Sequence, residues 1–165
     1  MSLTIIVEGG GSGTLNRRID CRRAFHTLFA KVAPKGALPS VYAAGSRATA
    51  LDHHGRVPGS IAVVDSEGPA TEMGRAVYQM VQIMESWFLA DAGTTARILK
   101  IDERRLSGNS KIEEAPKADV LQRLKSCGYD KRQHSFRILK EIDPAKVRKA
   151  STHADQLFRR IEQGV

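Results

Sequence analysis

Apolar residues fall along this chain in two rhythms. Short aliphatic and β-branched runs occur at Leu3–Val7, within Ser40–Gly45, at Ile61–Asp65 and at Val77–Met84, each bounded by glycine, proline or small polar residues. Such runs predict buried strands. Elsewhere the apolar positions recur three and four apart. Phe25, Leu28, Phe29 and Val32 make one stripe, so Thr14 to about Val32 predicts a helix packed on the sheet. A short helix containing Leu51 follows, with His53-His54-Gly55 expected to turn the chain.

After Trp87 and Phe88, which read as core, the pattern is helical to the end. A helix is expected from Ala92 to about Lys100, and a second from Lys117 after Pro116, stopped by Gly128. Others are expected from His134 to Ile142, from Asp143-Pro144 onward, and from Ser151, where Ala154, Leu157, Phe158 and Ile161 share a face. Strands alternating with helices predict an α/β domain. No internal repeat interrupts it.

At 165 residues the chain reads as a single domain, with a core of about 1–100 and a basic helical extension of about 101–165. The 26 Lys and Arg against 18 Asp and Glu give +8, and the stretch from Lys117 to Val165 supplies +6 of it from twelve bases and six acids. A polyanion, nucleic acid first, is the expected partner, although solvated helix faces account for basic runs as well. Cys21 and Cys127 match no metal-ligand spacing, so free thiols in a reducing compartment are expected. With no secretory pattern at the start and no apolar run near the roughly 18 residues of a membrane span, a cytoplasmic location is expected.

The chemistry gathers at strand ends. Glu8 closes the first strand and precedes Gly9-Gly10-Gly11, while Asp65 and Glu67 close the third. Open α/β sheets place ligands at the carboxyl ends of their strands, and magnesium or manganese takes oxygen ligands there. Glu8 reads either as a further ligand or as the base that activates water. Glu85 would emerge at the same edge after the fourth strand, and Asp91 reads equally as a helix cap or a metal-related acid. The amides of Gly10 and Gly11 suit phosphate at a helix amino end, yet the run is neither a Walker loop nor a dinucleotide fingerprint, and a plain strand-to-helix connection explains it too. Ser46 and Arg47 are read the same two ways, as groups aimed at the sheet edge or as a cap and a surface arginine. Neighbouring His53 and His54 point in different directions on a helix, which argues against joint ligation.

Val7-Glu8-Gly9 and Asp65-Ser66-Glu67 resemble the Toprim pattern. More closely, Val-Glu-Gly-Gly-Gly at 7–11, Gly-Ser-Arg at 45–47, Val-Asp-Ser-Glu-Gly-Pro at 64–69, Met-Glu-Ser-Trp-Phe-Leu-Ala-Asp at 84–91, Pro-Lys-Ala-Asp-Val at 116–120 and His-Ser-Phe at 134–136 are similar to a bacterial Toprim-like family of unknown function. That family is related to OLD-type nucleases and associated with AAA or ABC-class ATPases in phage defence. The resemblance implies a Toprim-like, mostly parallel four-stranded sheet flanked by helices. It also implies a metal centre of Glu8, Asp65 and Glu67 with Glu85 as a fourth acid, a phosphate-contacting or charge-stabilising role for Lys117, and for His134 either the same role or one of bracing the fold. The chain departs from the family at Ser12, where members commonly carry an acid, and the connections around 48–60 and 69–77 look shortened. The resulting expectation is a magnesium-dependent nuclease or phosphodiesterase working with an ATPase in antiviral defence. Its competitor is a regulatory or nucleic-acid-binding subunit of an ATPase complex without chemistry of its own.

Overall fold

A computed structural model describes residues 2–11, 14–108 and 110–164. Ser12, the position of the missing acid, lies outside the described residues. Strands β1 (Thr4–Val7), β2 (Ser40–Ala43), β3 (Ile61–Asp65) and β4 (Val77–Met80) form one sheet in the order β2-β1-β3-β4, with every neighbouring pair parallel. Around it lie helices α1 (Leu15–Ala30), α2 (Arg47–Arg56), α3 (Ser86–Ala90), α4 (Ala92–Leu99), α5 (Lys117–Ser126), α6 (Lys131–Glu141), α7 (Pro144–Ala150) and α8 (Thr152–Glu162). The α/β architecture with a parallel four-stranded sheet flanked by helices is the one expected from the sequence.

Alternation along the inner strands assigns the two faces. Ile5, Val7, Ile61 and Val63 share a core with Phe25, Leu28 and Phe29 of α1, while Ile6 and Val64 pack on the opposite face with Ala50 of α2. Side chains buried on both faces are what a parallel sheet requires, since its crossover helices cover both. From β1 the chain steps outward to β2, then crosses back to lay β3 on the other side of β1. The gap between β1 and β3 is therefore the topological switch point, where the loops leaving the two strands diverge and leave a crevice.

The C-terminal helices belong to the main core rather than standing off it. Val120, Leu124, Ile138, Leu139, Val147, Leu157 and Phe158 join the same cluster as the strands, and Trp87 meets Phe158 with ring centroids 5.8 Å apart. Fully burying each such aliphatic or aromatic side chain contributes about 1.5–3 kcal/mol, so these helices are major contributors to stability. Cys21 and Cys127 are both buried and free. Among the described residues no helix is long and apolar enough to cross a membrane.

Three local expectations change. The fourth strand ends at Met80, and Val81, Ile83 and Met84 are buried in the turn that follows, because the chain reverses at Gln82 with φ 60°. His53 and His54 lie inside α2 rather than at a turn; His53 stacks on Tyr42 with centroids 4.2 Å apart, and His54 Nδ1 bonds Ser60 Oγ at 2.9 Å. Helix α6 starts at Lys131, ahead of His134, because Asp130 accepts from the Gln133 amide at 2.9 Å and caps it.

Asp91, only 1% exposed, is a structural cap. Its carboxylate accepts from the Thr94 amide at 3.3 Å and the Thr94 hydroxyl at 2.8 Å, and also from the Asp143 amide at 2.9 Å, with Lys146 Nζ at 3.5 Å. Burial alone would raise its pKa, but these donors together hold it below the usual 3.8. A depressed carboxylate stabilises the fold above its unfolded value, and that contribution is lost as pH falls through the folded one. Asp91→Ala removes a cap and leaves the Asp143 amide without its acceptor, so we expect a loss of about 2–4 kcal/mol in urea unfolding at neutral pH. The gap from wild type should narrow as the pH is taken below 3.8; a gap that is constant with pH would contradict the assignment.

Candidate metal centre

Glu8 and Asp65 stand on either side of the switch point because β1 and β3 are adjacent and in register, Val7 beside Val63. The backbone then locks them. The Glu8 amide donates to Val63 O at 2.8 Å, and the Asp65 amide donates to Glu8 Oε2 at 2.8 Å. Asp65 Oδ1 in turn accepts from the Met84 amide at 2.8 Å, which fixes its rotamer. Glu67, on the solvent side, itself lies in the left-handed region, φ 60°, and its amide donates to Gln82 O at 2.8 Å. Non-glycine residues in that region are held there only where surrounding structure over-determines them. Here the second such residue is Gln82 itself, and its amide donates to Ser66 Oγ at 3.0 Å.

Glu8, Asp65 and Glu67 each offer an oxygen, and these oxygens lie within 4.8 Å of one another. Three carboxylates so close repel. Burial is the largest cause of the raised pKa of Asp65, which stands well above the ordinary carboxylate range, and the neighbouring charges of Glu8, Glu85 and Glu67 add to it. Glu8 is also raised, by burial first and by Glu67, although the Asp65 amide and Arg47 oppose the shift. A hard divalent cation fits this donor set: the oxygens converge, two of the acids are only partly exposed, and the like charges that strain the site are those a cation neutralises.

Glu85 sits behind this group rather than in it. It is 3% exposed, five residues past the end of β4, accepts from Tyr129 Oη at 3.3 Å and has Lys131 Nζ at 3.8 Å. Its charge reaches Asp65 through space. Lys117 Nζ forms a hydrogen-bonded ion pair with Glu67, which raises the lysine's pKa. Gln82 sets that helix start, since its Oε1 accepts from the Lys117 amide at 3.2 Å and its Nε2 donates to Glu113 O at 3.3 Å. His134 lies one layer out. Its Nδ1 accepts from the Asp130 amide at 2.8 Å, so in the neutral ring the proton is on Nε2, and the ring is 6.1 Å from that of Tyr129.

Arg47 caps nothing itself. Ser46 is the cap of α2, accepting from the Thr49 amide at 3.1 Å, and the Arg47 guanidinium donates to Asp65 O at 3.3 Å. Gly10 and Gly11 lie in the loop from β1 to α1. The preceding Gly9 has no room for a side chain: a Cβ there would lie 2.7 Å from Cys21 Sγ. That thiol is pushed up to about 12, chiefly by burial, which removes it from consideration as a nucleophile. Gln82, Tyr129 and Lys131 carry no signal in the sequence, where each looks like an ordinary polar surface residue.

A family model described as Domain of unknown function (DUF4276) matches residues 64–162. The matched span contains Asp65, Glu67, Glu85, Lys117 and His134 but begins after Glu8. No curated protein and no solved structure matches the chain.

Because the folded state holds Asp65 and Glu8 protonated to higher pH than the unfolded chain does, their contribution to stability falls as pH rises above the ordinary values of 3.8 and 4.5. Asp65→Asn keeps an oxygen for the Met84 amide and removes the charge. In EDTA above neutral pH it should melt at or above the wild-type temperature, and a melting temperature several degrees lower would show that the carboxylate is not under the repulsion inferred here.

Proposed function

The chain belongs to the DUF4276 family, and we propose that it is a magnesium- or manganese-dependent phosphodiesterase acting on nucleic acid. The observation that carries this reading is the convergence of Glu8, Asp65 and Glu67 at the β1/β3 switch point with a lysine, Lys117, already within hydrogen-bonding reach of one of them. Acids alone would suit many cations. A cation site with an adjoining ammonium group suits a substrate that is itself anionic, as a phosphodiester is. The resemblance to OLD-type nucleases extends the proposal to an effector in defence beside an AAA or ABC-class ATPase.

In this reading Glu8, Asp65 and Glu67 hold the ion. When bound, it supplies Lewis-acid polarisation of a phosphoryl oxygen. The chain's own residues do the rest. Burial and the neighbouring acids raise the pKa of Asp65, so cation binding competes with protons there and strengthens as pH rises. Lys117 leaves Glu67 and turns its ammonium group to the phosphate, stabilising charge that builds in the transition state. His134, whose Nδ1 is taken by the Asp130 amide, is left with Nε2 for a partner, and Tyr129 with Lys131 keeps Glu85 in place behind Asp65.

The Lys117 pairing also favours a second reading. A carboxylate already neutralised by an ammonium is a poorer ligand, and a regulatory subunit of an ATPase complex would use the acidic group for binding alone.

Manganese at about 100 times its dissociation constant should stabilise wild type by about 2.7 kcal/mol in thermal melts, with affinity rising as pH rises. Glu8→Ala and Asp65→Ala should abolish that stabilisation and any cleavage of labelled single-stranded or duplex DNA and RNA, assayed with and without an ATPase partner. Lys117→Ala should bind the metal and lose about 10²–10³-fold in turnover. Cleavage surviving in both acid variants refutes the catalytic assignment. Metal binding with no cleavage of any substrate favours the regulatory reading.

A further inference from the structure

Helices α1 and α6 run side by side and in the same direction. At their far ends Lys31 Nζ donates to Lys140 O at 2.7 Å and to Ile142 O at 2.9 Å, and nearer their starts the Arg17 guanidinium lies 5.2 Å from the centre of the Phe136 ring. Between them, with the start of β2 closing one end, is a groove of about 920 Å³. Its walls carry Arg22, Arg23 and His26 from α1 and Arg132, Arg137 and Lys140 from α6. One carboxylate, Asp20, lines it with them.

Spacing gives the charges a direction. Gln133, Phe136, Arg137 and Lys140 follow the i, i+3, i+4, i+7 pattern of one helix face, and Arg22 and His26 are one turn apart on α1. The cations Arg22 and Arg23 on α1 and Arg132, Arg137 and Lys140 on α6 thus spread over more than two turns of α6 and face the same groove. A single phosphate needs one such cation; a row of them fits an anion that repeats.

The charges are also uncompensated. Several cations elsewhere find acids, as Arg148 does with Asp155 and Glu162, Arg56 with Asp52, and Lys146 with Asp91, and others such as Arg75 and Lys149 stand singly outside the groove. Among the described residues Arg22, Arg23, Arg132, Arg137 and Lys140 are exposed and none has an acidic partner within ion-pair distance. Clustered like charges on facing helices repel one another, and a polyanion relieves that repulsion while releasing its own counterions.

We infer that the α1/α6 groove is a binding track for the sugar-phosphate backbone of a single-stranded nucleic acid. A duplex is wider than a crevice between two packed helices and would reach only its rims. The groove leads toward the acids, since α6 begins at Lys131, 3.8 Å from Glu85, and α1 begins beyond the glycine loop that follows Glu8. That the strand it holds is a substrate rests on the phosphodiesterase reading; that it holds a strand does not.

The test is binding of a fluorescein-labelled oligothymidylate to the full chain in EDTA, followed by anisotropy across a salt series. Arg23→Gln with Arg137→Gln should weaken binding at low salt by about tenfold or more and flatten the plot of log affinity against log salt by about 1.4, that is about 0.7 for each phosphate no longer neutralised. Arg75→Gln with Lys149→Gln, the same change in net charge at exposed positions outside the groove, should leave both nearly unchanged. Manganese binding measured by calorimetry should be the same in both double variants, which shows that each is folded. The inference is overturned if wild type does not bind the oligonucleotide, if the two double variants weaken it equally, if a duplex binds the groove as tightly, or if polyglutamate competes as well as the oligonucleotide does, which would make this a seat for an acidic polypeptide. Groove-dependent binding without cleavage in manganese would remove the phosphodiesterase reading and leave the track standing. Cleavage with binding indifferent to the groove would do the reverse.

Discussion

Mutual repulsion of carboxylates at the ends of two inner strands is the constraint on which the rest of this structure depends. Glu8 and Asp65 are brought together by strand pairing, before their side chains have any favourable reason to meet. What holds them is backbone: the Asp65 amide on Glu8 and the Met84 amide on Asp65. Hydrogen bonds to an ionised acceptor offset part of the cost of burying charge, yet both groups remain raised, so the balance is incomplete without a proton or a cation.

The surrounding structure answers to this centre. Segment 81–85 turns back under β3 instead of extending β4, and in doing so delivers the Met84 amide to Asp65 and Gln82 O to the Glu67 amide. Gln82 then reaches the start of α5 and aims Lys117 at Glu67. From the other side Tyr129 and Lys131 hold Glu85. The C-terminal helices therefore do two things at once. Their apolar stripes complete the core over one sheet face, their first residues Lys117 and Lys131 supply cations beside the acids, and Tyr129 in the α5–α6 connection supplies a hydroxyl.

Charge is divided in the same way. The bases that face acids tie elements together, as Lys146 does for α7 and Asp91, whereas Arg22, Arg23, Arg132, Arg137 and Lys140 line the exposed groove. The net +8 is thus less informative than its distribution, because paired cations contribute little field beyond their partners while an unpaired row contributes a directional one.

By itself the sequence determined the strands β1 and β3, whose short runs are apolar on both faces because both faces are covered, and it placed the acids at their ends. It also determined the helices whose stripes are regular or whose caps are explicit, such as Asp143-Pro144 and Ser151. Only the tertiary structure decided where β4 stops, since Val81, Ile83 and Met84 are buried equally well in a strand or in a turn, and the choice came from bonds to Ser66 and Asp65. It decided likewise that His53 and His54 continue α2 and that Glu85 stands behind the cluster. The pairing of Lys117 with Glu67 spans fifty residues, and nothing in local pattern encodes a contact between two exposed charges that distant in the chain. The three acids at Glu8, Asp65 and Glu67 were legible because strand ends converge in any parallel sheet; their mutual distance, and the repulsion that follows from it, came from the register of β1 on β3.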